Sequence, residues 1–193
     1  LRNKQVFVSY KLESNETSDF KYCPSCGAEC AETEEGGRRR SACLKCGFIH
    51  YKNPAPAVSV LIVKEDQVLL GKRAEGAFQA GMWCLPCGFI EFDEDFLTAA
   101  RREVREETGL TVKIQSILSV MSNYLAVNLH TLVVVLLARA IDGELRPGDD
   151  VAAVEWFPLA GPLPEMAFEA DAHIIERYRQ TRTNGAPVDA DFA

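Results

Sequence analysis

No apolar run in this 193-residue sequence approaches the roughly 20 residues that a bilayer-spanning helix needs. The longest, LVVVLLA at 132–138, suits a buried strand instead. The first residues show no apolar signal-peptide core. A cytoplasmic location is expected, with an organellar one left open by a start at Leu1 rather than methionine. A basic surplus is also missing. Against 21 Lys and Arg stand 28 Asp and Glu, a net charge of −7, which disfavours nonspecific contact with a nucleic-acid backbone. An acidic chain that handles phosphates would need metal ions to supply positive charge. The 47% hydrophobic and 25% charged residues that are present describe a globular chain, long enough for one ordinary domain and a small module.

Cysteine is not scarce, and four of the seven fall into a pattern. Cys23 and Cys26 are two residues apart, as are Cys43 and Cys46, and Gly27 and Gly47 follow the two pairs. Paired disulfides would use the same residues, but two knuckles of this spacing read as a four-thiolate zinc site. Each tight turn can aim two sulfurs at one Zn²⁺, with backbone N–H groups bonding the thiolates, and glycine permits the positive φ such a turn needs. The segment is too short and polar for a core of its own, so the ion would supply its folding energy. Residues 20–52 are therefore expected to be a zinc ribbon after a tail at 1–19. Cys30 would be a spectator, and 34–40 (EEGGRRR) a solvated loop. Asn53-Pro54-Ala55-Pro56 marks the boundary.

Beyond it, 58–63 (VSVLIV) and 67–73 (QVLLGKR) read as a hairpin. Residues 88–110, GFIEFDEDFLTAARREVREETGL, predict a helix over 96–108, N-capped by Asp95 and stopped at Gly109. At about 100° per residue, Leu97, Ala100, Val104 and Thr108 share the face that packs on a sheet. Glu103, Glu106 and Glu107 fall on a neighbouring strip. The strip could be a solvated face whose carboxylates pair with Arg101, Arg102 and Arg105. For an isolated helix that is the default; the other reading is a site for a hard divalent cation such as Mg²⁺ or Mn²⁺, which relieves the repulsion among three carboxylates.

The fixed positions Gly88, Glu94, Arg102, Glu103, Glu106, Glu107 and Gly109 of this stretch resemble the box of the Nudix hydrolases, matched over 23 residues. The resemblance favours the cation site over the solvated face. It implies an α/β fold, the Nudix α/β/α sandwich with a mixed sheet, over 55–182, followed by a polar, disordered tail at 183–193. It also implies hydrolysis of a nucleoside diphosphate linked to another group. Glu103, Glu106 and Glu107 would hold Mg²⁺ or Mn²⁺, with the Gly88 carbonyl as a further ligand. Glu103 is the candidate general base, and Glu155 or Glu165 are alternatives downstream. Arg102, counted with the catalytic set, and Glu94 would orient the helix.

Trp83-Cys84-Leu85-Pro86-Cys87 has the spacing of a thioredoxin-type redox centre. It also stands where Nudix proteins carry their Trp-x-Leu-Pro-Gly-Gly-like lead-in. A redox pair needs a helix starting near the first cysteine to lower its thiol pKa, whereas 88–92 read as extended chain, so Cys84 and Cys87 are read as small fillers.

Downstream, 111–120, 129–140 and 151–157 read as strands and 170–182 as a closing helix. A ribbon ahead of the box resembles the NADH pyrophosphatases, but their Ser-Gln-Pro-Trp-Pro-Phe-Pro signature is missing, since no proline lies between Pro86 and Pro147. The layout is more similar to plant plastid FAD/ADP-ribose pyrophosphatases. The expected substrate is an ADP-ribose- or FAD-like dinucleotide or nucleotide sugar, with NADH as the alternative. Phe78, Tyr124 and Phe168 are candidates to stack a nucleobase. The competing class is a non-catalytic nucleotide sensor or an RNA- or protein-binding module. Its mark would be lost box glutamates, and none is lost. A homodimer is left open, and no membrane partner is expected.

Overall fold

The structure, a computed structural model, describes residues 20–126 and 129–189. The tail expected at 1–19 lies outside the described residues. These divide into two compact units, one grouping 20–54 with the described part of 124–130, the other grouping 55–123 with 131–189.

In the first unit, β1 (Cys30–Glu35) and β2 (Arg38–Cys43) form an antiparallel hairpin around Gly36 and Gly37. The solvated loop expected at 34–40 is therefore largely paired strand. The register explains it: Glu34 lies opposite Arg39 and Glu35 opposite Arg38, and the Glu32 carboxylate pairs with the Arg39 guanidinium. Opposite charges across a strand pair stabilise the ladder that the composition alone hid.

The second unit is built on β3 (Ala55–Lys64), β4 (Gln67–Arg73), β5 (Trp83–Cys84), β6 (Cys87–Phe89), β7 (Leu110–Ala126), β8 (Leu129–Gly143), β9 (Val151–Pro158) and β10 (Ala186–Pro187). The sheet order is β10-β7-β8-β3-β4-β5, with β6 also on β3 and β9 also on β4. β3 runs parallel to β8 and antiparallel to β4 and β6, so the sheet is mixed. Successive side chains of β3 alternate between two cores. Val58, Val60 and Ile62 pack with helix α1 (Phe96–Thr108), while Ala57 and Leu61 pack with Ile174 and Ile175 of helix α2 (Glu169–Thr181). A helix on each sheet face is the sandwich expected from the sequence.

Helix α1 has the predicted bounds. The Asp95 carboxylate accepts N–H bonds from Leu97 (2.8 Å) and Thr98 (3.0 Å), and Gly109 closes the helix at φ 72°. Two expectations need correction. The strands at 111–120 and 129–140 are longer, as β7 and β8. The tail is not free throughout: Ala186 and Pro187 pair with Ile117 and Ser116 along the edge of β7, where a proline lacking an N–H is tolerated. No helix among the described residues is long and apolar enough to cross a membrane.

Candidate functional site

The lead-in and the helix meet at Gly88. A β-carbon there would lie 2.0 Å from Glu103 Oε1, so only glycine lets the Glu103 carboxylate rest against β6. One residue earlier, the Cys87 N–H donates to Glu107 Oε2 at 3.0 Å. Two carboxylates of α1 are thus pulled in against the lead-in. Glu103 is 8% and Glu107 2% exposed, so neither belongs to a solvated face, whereas Glu106 is exposed.

Arg102 ties this end together. It donates to Glu94 through Nε (3.1 Å) and Nη2 (2.5 Å), to the Phe89 carbonyl (3.1 Å), to Glu103 (2.8 Å) and to Glu106 (3.0 Å). The Arg102 hydrogen bonds hold the Glu94 carboxyl below its usual range. Burial pushes Glu103 up despite Arg102, and pushes the more deeply buried Glu107 well above the carboxylate range. A buried acid of this kind ionises only beside a cation. Carboxylates are hard oxygen donors, so the chemistry of Glu103, Glu106 and Glu107 suits a hard divalent ion such as Mg²⁺ or Mn²⁺.

Two further acids reach this site unforeseen. Asp149 raises Glu103 and Asp150 raises Glu107 through their charges. They arrive because Gly148 packs on the helix, its N–H bonding the Glu107 carbonyl at 3.2 Å, with no room for a β-carbon against the Glu106 carbonyl. The adjacent acids in the turn at 147–150 (PGDD) were the available signal. Of the downstream acids that were expected, Glu155 is exposed on β9, and Glu165 is exposed in the loop that meets Trp83. Asp171, also missed, is fully buried and accepts from the Leu85 N–H (2.9 Å) and the Ser59 hydroxyl (3.3 Å). It sits three, four and seven residues before Ile174, Ile175 and Tyr178, an acid on the apolar face of a helix, which is a legible sign of a buried partner.

Cys84 and Cys87 lie in the short strands β5 and β6, with no helix starting at the first. Contact with the Cys84 thiol, followed by burial, pushes Cys87 well above the usual thiol range. What a redox-active pair needs, a helix N-terminus at the first cysteine, is missing here. Among the aromatic candidates, Phe78 and Phe168 are brought together, 6.4 Å between ring centroids and 11° from parallel, while Tyr124 stacks on His130 instead.

In the ribbon unit, the sulfurs of Cys23, Cys26, Cys43 and Cys46 all lie within 4.8 Å of one another, and Cys30 is not among them. Cys23 and Cys46 are 3.5 Å apart, Cys26 and Cys43 3.6 Å. A tetrahedral ion with bonds of about 2.3 Å requires sulfur–sulfur edges of about 3.8 Å, so the cradle fits Zn²⁺. Backbone N–H groups of Cys46 and then Lys45 lower the Cys43 thiol to about 6, while Cys26, despite the Ala28 N–H, is pushed up to about 12 by the neighbouring Cys43; a metal ion would take all four as thiolates.

Comparison with known proteins gives consistent matches. The NUDIX domain family matches residues 53–178. An ADP-ribose pyrophosphatase of Methanocaldococcus jannaschii is 40% identical over 129 residues, 66% of this chain and 75% of that protein. An NAD-capped RNA hydrolase NudC of Pseudomonas aeruginosa is 29% identical over 169 residues, 86% of this chain but 58% of that protein. In structure, a NUDIX hydrolase from Nitrosomonas europaea superposes with a TM-score of 0.76 at 31% identity, covering 88% of this chain and 96% of that one.

Proposed function

The chain belongs to the NUDIX family, and on that premise we propose that it is a metal-dependent pyrophosphohydrolase acting on an ADP-ribose- or FAD-like dinucleotide, releasing a nucleoside monophosphate and a phosphorylated product. The observation that carries the reading is the placement of Glu103 and Glu107 against the lead-in, with Glu106 beside them on the Arg102 guanidinium. The relatives named for ADP-ribose and for NAD-capped RNA support a dinucleotide-type substrate.

Glu103, Glu106 and Glu107, with the Gly88 carbonyl, would hold Mg²⁺ or Mn²⁺. Bound there, the ion neutralises diphosphate charge and lowers the pKa of a coordinated water. Glu103 takes the proton of the attacking water. Arg102, anchored to Glu94 and the Phe89 carbonyl, fixes the orientation of Glu103 and Glu106. The Cys87 N–H holds Glu107 in one rotamer. Attack at one phosphorus breaks its bond to the bridging oxygen, which leaves with the second phosphate. The ribbon holds one zinc ion in a structural role.

The test is a substrate panel of ADP-ribose, FAD and NADH with Mg²⁺ or Mn²⁺, with products identified by mass. AMP with ribose 5-phosphate, or AMP with FMN, is expected. No cleavage of any of the three would overturn the reading. NADH cleaved in clear preference to the other two would move the substrate to the nicotinamide dinucleotides.

A further inference from the structure

We infer that Phe78 and Phe168 form the platform on which the nucleobase of the substrate stacks, an inference that rests on the nucleotide-hydrolase reading above. The rings are nearly parallel, at 11°, and their centroids lie 6.4 Å apart, near the wide end of direct aromatic stacking. Phe78 is 43% exposed, which leaves a large apolar face open to solvent. An exposed ring backed by a second parallel ring offers a planar ligand a third place in the stack.

The backbone holds both rings in place. Phe78 lies in the loop after β4, which is closed on itself by N–H bonds from Gly81 to the Arg73 carbonyl (2.9 Å) and from Met82 to the Gln79 carbonyl (3.2 Å). Phe168 opens α2 and follows a segment stitched to Trp83: Trp83 N–H bonds the Glu165 carbonyl at 2.9 Å, and Ala167 N–H bonds the Trp83 carbonyl at 2.7 Å.

Arg73 joins the platform to the turn at 147–150. Its guanidinium lies 5.8 Å from the Phe168 ring centroid, its Nε bonds the Phe78 carbonyl, and its Nη2 meets Asp150 at 2.7 Å. Arg73 thus ties the ring pair to the turn whose Gly148 N–H bonds the Glu107 carbonyl of α1. An aromatic face with an adjacent guanidinium suits a neutral heteroaromatic base whose nucleoside carries phosphate.

Equilibrium binding of AMP and of ribose 5-phosphate, measured calorimetrically with Mg²⁺ present, tests the assignment. Loss of one aromatic stack weakens a base by roughly tenfold or more. Phe78→Ala and Phe78→Leu should therefore weaken AMP by about that factor, with Phe78→Leu showing that an apolar side chain without a π-face does not suffice. Phe78→Tyr should restore AMP binding, and ribose 5-phosphate, which has no base, should be indifferent to all three. Unchanged AMP binding in Phe78→Ala overturns the platform. So does equal loss of both ligands, or a parent protein that does not bind AMP. The substrate panel separates this from the enzyme reading. A parent that cleaves ADP-ribose with a KM unmoved by Phe78→Ala keeps the enzyme and loses the platform. A parent that cleaves nothing while Phe78→Ala weakens AMP keeps the platform and loses the enzyme.

Discussion

Gly88→Ala perturbs the carboxylates proposed to act at the reacting centre without changing any charge. The added β-carbon would stand 2.0 Å from Glu103 Oε1 and 2.1 Å from its Cδ, where ordinary contact begins at 3.4 Å. The carboxylate must therefore withdraw by about 1.4 Å, the difference between those two separations. The backbone at Gly88 is outside the positive-φ region, so alanine brings no conformational strain of its own. The clash falls on the end of a side chain rather than on packed backbone, and the pairing of β6 with β3 survives. Displacing a catalytic group by about 1 Å costs on the order of 100-fold, or about 2.7 kcal/mol in the barrier. The expected result is a kcat about two orders of magnitude below the parent on whichever panel substrate it cleaves, with a melting temperature within a few degrees. Turnover would be followed by chromatography of released nucleotide, and folding by circular dichroism. A folded Gly88→Ala protein with parental kcat would refute the placement of Glu103 at the reacting centre. Loss of activity together with loss of fold would refute the claim that the clash is confined to the side chain.

Three further outcomes are expected. Glu106→Gln removes the charge of a proposed metal ligand, so turnover should fall by about 100-fold; since Glu106 is exposed and pairs at the surface with Arg102, metal-free stability should stay within about 0.5 kcal/mol by urea denaturation. Cys23→Ser opens the four-sulfur cradle, and metal analysis should drop from one zinc per chain to substoichiometric zinc; parental zinc content would remove the ribbon assignment. Asp171 has its carboxyl raised by burial to about 7 in the fold, from an unfolded value of 3.8, so its contribution is fully present below about pH 4 and is lost as pH rises through 7. Asp171→Asn should therefore gain stability relative to the parent between pH 4 and pH 8, by up to about 4 kcal/mol; a difference that is flat with pH in denaturant titrations would show that Asp171 does not titrate in that window.

Local sequence determined much of this protein. The bounds of α1, its Asp95 cap and its Gly109 stop were legible because capping and left-handed termination are decided within a few residues. The four-sulfur cradle was legible for the same reason, since two knuckles fix two sulfurs each. The cluster of Glu103, Glu106 and Glu107 on one side of the helix followed from its pitch. What each carboxylate experiences was not legible. Glu107 is buried and Glu106 exposed because the lead-in strand covers one and leaves the other in water. Asp149 and Asp150 reach the helix only because Gly148 allows their loop to pack on it, and Phe78 meets Phe168 across ninety residues of chain. Asp171 finds the Leu85 N–H from the opposite face of the sheet to α1. Periodicity and caps act over one turn of chain, whereas burial, which moves a carboxyl by several kcal/mol, depends on which distant segment lies above it, and only the packed sheet and helices decide that.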